Sequence, residues 1–262
     1  MENDVVYYEK NGEASWVYLN KPESMNALSK GVLSKFIEIL TILEKDKGTK
    51  VVVITGTGKA FCAGADLKEI MEELKDKEVD EPGFFDYGRV FFQKLYSFPK
   101  PIIAALNGMT LAGGLEIALT ADIIIASESA KIGDAHANFG VLPGGGSSIK
   151  LARKIGENRA KYLLLSGDFI SAKEMKEYGL VHKVVKESDL IDEVNGIANK
   201  LAKKSPLVLE KMKKLVSNGY EQPFNVALEN EMSTLQAHLR SYDLKEGLSA
   251  FNEKRNPNFK GF

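Results

Sequence analysis

The sequence predicts an α/β layered body with mostly parallel strand pairing, on three observations. Strand and helix signals alternate along the chain, the helical stretches keep 3.6-residue apolar spacing, and Val51–Thr55 reads as a buried strand between them. Val5–Tyr8 and Trp16–Leu19 form an opening hairpin around Asn11-Gly12. Ser29 then caps a helix whose apolar positions Val32, Leu33, Phe36, Ile37, Leu40 and Leu43 recur at helical spacing until Gly48. After the Val51–Thr55 strand, Gly56-Thr57-Gly58 is a turn, and Ala65–Leu74 begins a helix that dissolves into the charged stretch 72–81. Phe84–Ser97 is a further helix, closed by Pro99 and Pro101 before the strand Ile102–Leu106. Next come a short helix around Glu116, a strand at Asp122–Ala126, an extended piece at Lys131–Gly133 and a loop to Gly146. From Ser147 onward the pattern is chiefly helical, and Ser205-Pro206 starts a C-terminal helical part. No repeat is strong enough to indicate a solenoid.

Composition bounds the function classes. A chain of 262 residues buries roughly 70–75% of the surface its unfolded form exposes, so it builds a core without staples. The net charge of −1 gives no global field for nucleic acid or for a membrane surface, and any polyanionic ligand must be held locally. The single cysteine, Cys62, excludes an internal disulfide framework and a cysteine-based zinc cluster and fits a reducing compartment. An acidic start without an apolar signal region, and no apolar run of membrane-spanning length, predict a soluble cytoplasmic protein.

The most informative residue is Glu116. Between Gly108 and Ala121 it alone carries a formal charge, one turn after the Gly113-Gly114 break. Glycines at a strand-to-helix junction let backbone N–H groups approach a ligand oxygen, and the helix start adds positive partial charge. A glutamate in a first turn can serve only as a helix cap. Here Leu115, Ile117, Ala118 and Leu119 surround it, which predicts a buried carboxylate, and a buried acid is paired, protonated or functional.

Three further stretches carry candidate chemistry. Lys59 to Leu67 is a run of small residues before a helix with Asp66 in its first turn, as an ordinary connection or as backbone kept bare for a ligand. Asp134-Ala135-His136-Ala137-Asn138 precedes Gly140, Pro143 and Gly144 to Gly146. Its histidine is either structural or brought to Glu116 by the fold. Asp134 either orients that ring or, as expected of an aspartate in a polar loop, faces solvent. The segment from Glu246-Gly247 to Lys260, taken alone, is a solvated helix and tail. There is no serine nucleophile elbow, Walker loop, strand-linked GxGxxG or histidine pair at metal-ligand spacing.

In order and spacing, six blocks resemble the crotonase superfamily, the enoyl-CoA hydratase/isomerase family. They are Leu19-Asn20-Lys21-Pro22 with Asn26-Ala27-Leu28; Thr55-Gly56 through Asp66-Leu67; Lys100-Pro101 through Asn107-Gly108 with Gly113-Gly114 and Glu116; Asp122; Gly140 with Pro143-Gly144; and Glu246-Gly247 through Arg255. The resemblance covers nearly the whole chain. It implies a spiral of ββα units with the active site over residues 1–195, and a C-terminal helical region, 196–262, that packs between subunits of a homotrimer or hexamer.

It also implies an acyl-CoA substrate, with CoA part of that substrate and no metal or redox cofactor. The N–H groups of Ala65 and Gly113 would form an oxyanion hole. Met25, Ala63, Asp66 and Leu67 would lie near the CoA, and Phe251 and Lys254 would approach it from the C-terminal helix. The acyl pocket would come from residues 70–92, where Phe84, Phe85, Tyr87, Phe91 and Phe92 offer an aromatic wall. One position departs from the pattern: Glu116 matches the first of the two catalytic glutamates, and His136 stands where the second would be. An imidazole can serve as acid or base near neutral pH. The resemblance therefore implies a lyase or isomerase, most simply an enoyl-CoA hydratase. A hydrolase or decarboxylase using Glu116 and His136, or a non-catalytic CoA-binding protein, are the alternatives.

Overall fold

The computed structural model describes residues 4–75 and 82–262. Part of the charged stretch 72–81, and with it part of the expected pocket region 70–92, lies outside the described residues. The chain opens with the hairpin β1 (Val6–Asn11) and β2 (Ala14–Leu19), then α1 (Lys30–Lys45). Ser29 Oγ accepts the Val32 N–H at 3.3 Å at the start of α1. The helix stops before the expected Gly48. Lys100 Nζ donates to the carbonyls of Leu43 and Asp46, closing its last turn, while Asp46 folds its carboxylate onto Thr49 and Lys10.

Three consecutive units follow: β3 (Val51–Gly56), β4 (Ala60–Cys62), α2 (Leu67–Glu73) and α3 (Phe84–Ser97); then β5 (Ile102–Leu106), β6 (Met109–Leu111) and α4 (Gly113–Thr120); then β7 (Ile123–Ser127), β8 (Lys131–Gly133) and α5 (Ser147–Ile155). Each unit gives its first strand to a six-stranded sheet of order β1-β2-β3-β5-β7-β10 and its second to a four-stranded sheet of order β4-β6-β8-β9. This is the expected ββα spiral. The remaining elements are α6 (Glu157–Ser166), β9 (Phe169–Ser171), α7 (Ala172–Glu177), β10 (Lys183–Val185), α8 (Leu190–Ala202), α9 (Pro206–Gly219), α10 (Phe224–His238) and α11 (Tyr242–Asn252). Pairing is parallel except at β1–β2 and β8–β9.

Strand β3 is apolar throughout its valine run because both faces of the larger sheet are covered. Val52 and Ile54 join the main core with Phe36, Leu40 and Ile102, whereas Val51 and Val53 face Val194 and Ala198 of α8. Helix α8 runs across residue 195, where the C-terminal helical region was expected to begin, and packs on the larger sheet. Asp243 ties that part down. Buried at the start of α11, it accepts from Ser205 Oγ and from the Lys260 and Gly261 N–H groups. No helix of the described residues is long and apolar enough to cross a membrane.

Candidate active site

A cavity of about 450 Å³ opens over the C-terminal ends of β4 and β6. Its floor is two bare turns. After β4, Leu28 pairs with the chain as in a parallel bridge, donating to the Gly64 carbonyl and accepting from the Asp66 N–H, both at 2.8 Å. The intervening Ala65 N–H takes no part in that bridge. After β6, Ala112 adopts φ 47°, ψ −118°, and Gly113 is the first residue of α4, where an N–H has no partner within the helix. Gly64 is what lets the two turns meet. A Cβ there would fall 2.8 Å from the Ala112 Cβ and 3.5 Å from the Gly113 nitrogen.

Glu116, 3% exposed, stands one turn into α4, as its apolar neighbours predict. Its Oε1 accepts the N–H groups of Gly145 at 2.6 Å and Ser147 at 3.3 Å, where the loop enters α5. No hydrogen bond within the described residues occupies Oε2, and Glu116 lines the cavity. Burial raises its proton affinity above that of an ordinary glutamate, outweighing the Ser147 and Gly145 donors and the nearby His136. Helix α3 fixes the loop. Phe92 packs where a side chain on Gly145 would sit, and the Tyr96 hydroxyl donates to the Gly145 carbonyl at 2.6 Å. Burial and the Glu116 charge push that hydroxyl up to about 12, so it stays a donor.

His136 begins a short 3₁₀ turn, His136–Phe139, after β8, and lines the same cavity. The expectation that Asp134 faces solvent is wrong: it is 1% exposed, and its Oδ1 lies 2.9 Å from His136 Nδ1. The left-handed conformation of Ala135, φ 58°, turns the chain so that the two side chains converge. Burial pulls the imidazole's proton affinity down, but the Asp134 hydrogen bond and charge, with Glu116, more than reverse this and leave it above the ordinary value.

Of the residues singled out in the sequence, Met25, Ala63, Ala65, Leu67, Gly113, Glu116 and His136 meet at this one cavity. Asp66 does not: its carboxylate caps α2, accepting from the Lys68 and Glu69 N–H groups at 3.1 and 3.4 Å. Phe251 and Lys254 are likewise outside the cavity wall of their own chain, with Phe251 81% exposed at the end of α11. The aromatic wall is Phe84, Phe85 and Phe92 with Ile70, but Phe91 is turned into the core against Phe36 and Tyr87 packs beside it.

Arg89, Tyr96, Gly145 and Ser147 were not apparent as site residues. Only Gly145, within its glycine run, carried a signal. Among the described residues no group of three or more His, Cys, Asp and Glu side chains is placed to hold a metal ion.

The enoyl-CoA hydratase/isomerase family profile matches residues 9–261. A short-chain-enoyl-CoA hydratase of Clostridium acetobutylicum is 36% identical over 256 residues, covering 97% of each chain. A crotonyl-CoA hydratase of Syntrophomonas wolfei is 35% identical over 99% of each. The crystal structure of an enoyl-CoA hydratase from Bacillus anthracis superposes with a TM-score of 0.91 at 36% identity, covering 98% of this chain and 99% of that one.

Proposed function

Because the chain belongs to the enoyl-CoA hydratase/isomerase family, we propose that it is an enoyl-CoA hydratase that adds water across the C2=C3 bond of a short trans-2-enoyl-CoA thioester. The observation that carries this reading is the anchoring of Glu116. One carboxylate oxygen is fixed by two N–H groups while the other is left to a cavity that His136 and the Ala65 and Gly113 turns also line. The thioester oxygen sits on the Ala65 and Gly113 N–H groups, which are fixed in place before charge develops. Water bonds through oxygen to the β-carbon as Glu116 takes its proton, and the C=C electron pair moves into the thioester enolate. His136 Nε2 returns a proton to the α-carbon, after which the Glu116 proton resets the pair. CoA enters as part of the substrate, past Met25, Ala63 and Leu67, and the reaction calls for no metal or redox cofactor.

The exposed apolar face of α10 and α11, with Leu228, Met232, Leu235, Leu239 and Leu248, supports a homotrimer or hexamer. In such an assembly Phe251 and Lys254 would reach the CoA of a neighbouring subunit. The single buried Cys62, its thiol pushed up to about 12 by burial, fits the cytoplasm.

The deciding experiment offers crotonyl-CoA to purified protein and follows the conjugated enoyl absorbance and free thiol together. Hydration bleaches the enoyl band with no thiol released and places solvent oxygen on the β-carbon. Thiol release with solvent oxygen in the freed acid makes the protein a hydrolase instead, and double-bond migration without solvent oxygen makes it an isomerase.

A further inference from the structure

Asp134 is a buried carboxyl group that the reaction just described does not use. Its Oδ1 receives both the His136 backbone N–H, at 3.4 Å, and the imidazole Nδ1, at 2.9 Å, while Oδ2 is buried with no hydrogen-bond partner among the described residues. A carboxylate so placed is costly unless a positive charge stands beside it. The ionisable groups facing His136 are few: Asp134 on its own loop, Glu116 from α4, and Tyr96 from α3 behind Glu116. Arg89 of α3 lines the same cavity but is largely exposed and lies 3.9 Å from Asp86. A neutral ring leaves the Asp134 carboxyl group beside it, and Glu116 in the cavity, without a nearby cation. With an imidazolium, one negative charge remains, and the N–H groups of Gly145 and Ser147 offset it.

We propose that Asp134 is a positioning residue that holds His136 as an Nδ1-paired imidazolium in the resting protein, aiming its Nε2–H into the cavity as the proton donor. The proposal rests on the hydratase reading and deepens it, because it assigns the roles within the pair: His136 starts charged and gives a proton, and Glu116 starts ionised and takes one. The left-handed turn at Ala135 is the local distortion that makes the dyad possible, in a conformation that a residue other than glycine rarely adopts.

The chain has three histidines, His136, His182 and His238, so their imidazole NMR signals can be assigned with H136Q and titrated in the free protein without substrate. In the wild type, the His136 signal is that of the imidazolium at pH 7, with Nδ1 as a strong donor. A neutral ring at pH 7 overturns the proposal without D134N, which covers the case of a D134N protein that does not fold. In D134N the midpoint falls by about 1–3 pH units, a tenfold to thousandfold loss of proton affinity. The basic limb of kcat on crotonyl-CoA falls with it, while KM stays within about threefold. A midpoint that does not move, or a kcat limb that ignores a midpoint that does, overturns the positioning role. A charged His136 in a protein that bleaches no enoyl thioester defeats the hydratase reading, and with it the donor role, while leaving the ion pair standing.

Discussion

Replacing Gly145 with alanine tests how tightly the carboxylate must be held. A Cβ at this position would lie 2.4, 2.5 and 2.7 Å from three carbons of the Phe92 ring. Carbon atoms rest at about 3.5–4.0 Å, so the loop or the ring must move by about 1 Å. Phe92 is wedged edge-on against Phe91 at 5.1 Å, and Phe91 is fully buried, so the loop yields more readily than the ring. A loop displaced by that amount stretches the 2.6 Å bond from the Gly145 N–H to Glu116 Oε1 to about 3.6 Å, beyond a hydrogen bond.

Two consequences follow from that loss. Misplacing a reacting group by about 1 Å costs on the order of 10² in rate. Losing a donor to its ionised form also raises the proton affinity of Glu116 further, so the acidic limb of the pH profile moves upward. The assay is kcat/KM on crotonyl-CoA across pH, with thermal melting as the folding control, in G145A and in G145A/F92A, where the removed ring makes room. We expect a loss of about 10²-fold in the single variant and partial recovery in the double. A folded G145A within threefold of wild type, with an unmoved acidic limb, would refute the claim that this N–H positions the base.

Other outcomes test the rest of the site. E116Q and H136Q should each lower the chemical step by about 10²–10⁴-fold, and the double variant should lose less than the product, because both act in the addition of one water. The pH dependence has a definite sign. Glu116 works ionised and has a raised midpoint, so the rate falls with acid from above the ordinary glutamate range; His136 works protonated and is also raised, so the rate falls with base only above the ordinary imidazole value. An acidic limb unchanged in E116Q together with a basic limb unchanged in H136Q would remove the pair. Installing the second glutamate, H136E, should fail by itself, since it sets a new carboxylate against the buried Asp134 carboxyl group. H136E/D134N should recover at least tenfold over H136E in stopped-flow turnover. In sedimentation the protein should run as a trimer or hexamer at micromolar concentration, and K254A should weaken CoA binding in a salt-sensitive way without changing kcat. A monomer that still binds CoA normally would show that the C-terminal helices take no part.

Much of the fold was legible because its long elements have strong periods. The boundaries of α3 and β5 match the reading from Pro99 and Pro101 to the residue, since proline acts locally. Of the three-residue strands only β8 was legible, as the extended piece at Lys131–Gly133. β4, β6, β9 and β10 have three residues each, too few to show a period, and they exist because neighbouring strands offer them hydrogen bonds. Glu116 stood out because a lone charge in an apolar helix is rare whatever the fold. Asp134 and Tyr96 did not, because an aspartate in a polar loop and a tyrosine on an amphipathic helix look ordinary until tertiary packing closes over them. Asp66 was placed near the CoA only by the resemblance; its own stretch reads as an ordinary connection, and its carboxylate serves the first free N–H groups of the helix that follows.

The fold also explains why the site's parts lie so far apart in sequence. Each parallel strand of the smaller sheet, β4, β6 and β8, is followed within two residues by a left-handed position: Gly64 at φ 106°, Ala112 at φ 47° and Ala135 at φ 58°. Each such reversal turns the next residue toward the cavity, and those residues are Ala65, Gly113 and His136. A positive-φ reversal, repeated in successive turns of the spiral though with a different ψ at Ala112 and Ala135, thus brings Ala65, Gly113 and His136 to one cavity, on strands held side by side by β4–β6 and β6–β8 pairing. Two of the three bends use alanine, which resists this conformation more than glycine does. The strain there is sustained by the strand pairing before it and the helical turn after it. In the proposed reaction, rigid backbone groups would meet the charge that develops on the substrate, and titratable side chains would be confined to the proton transfers. That division suits a reaction in which the anion is transient and the protons must be returned.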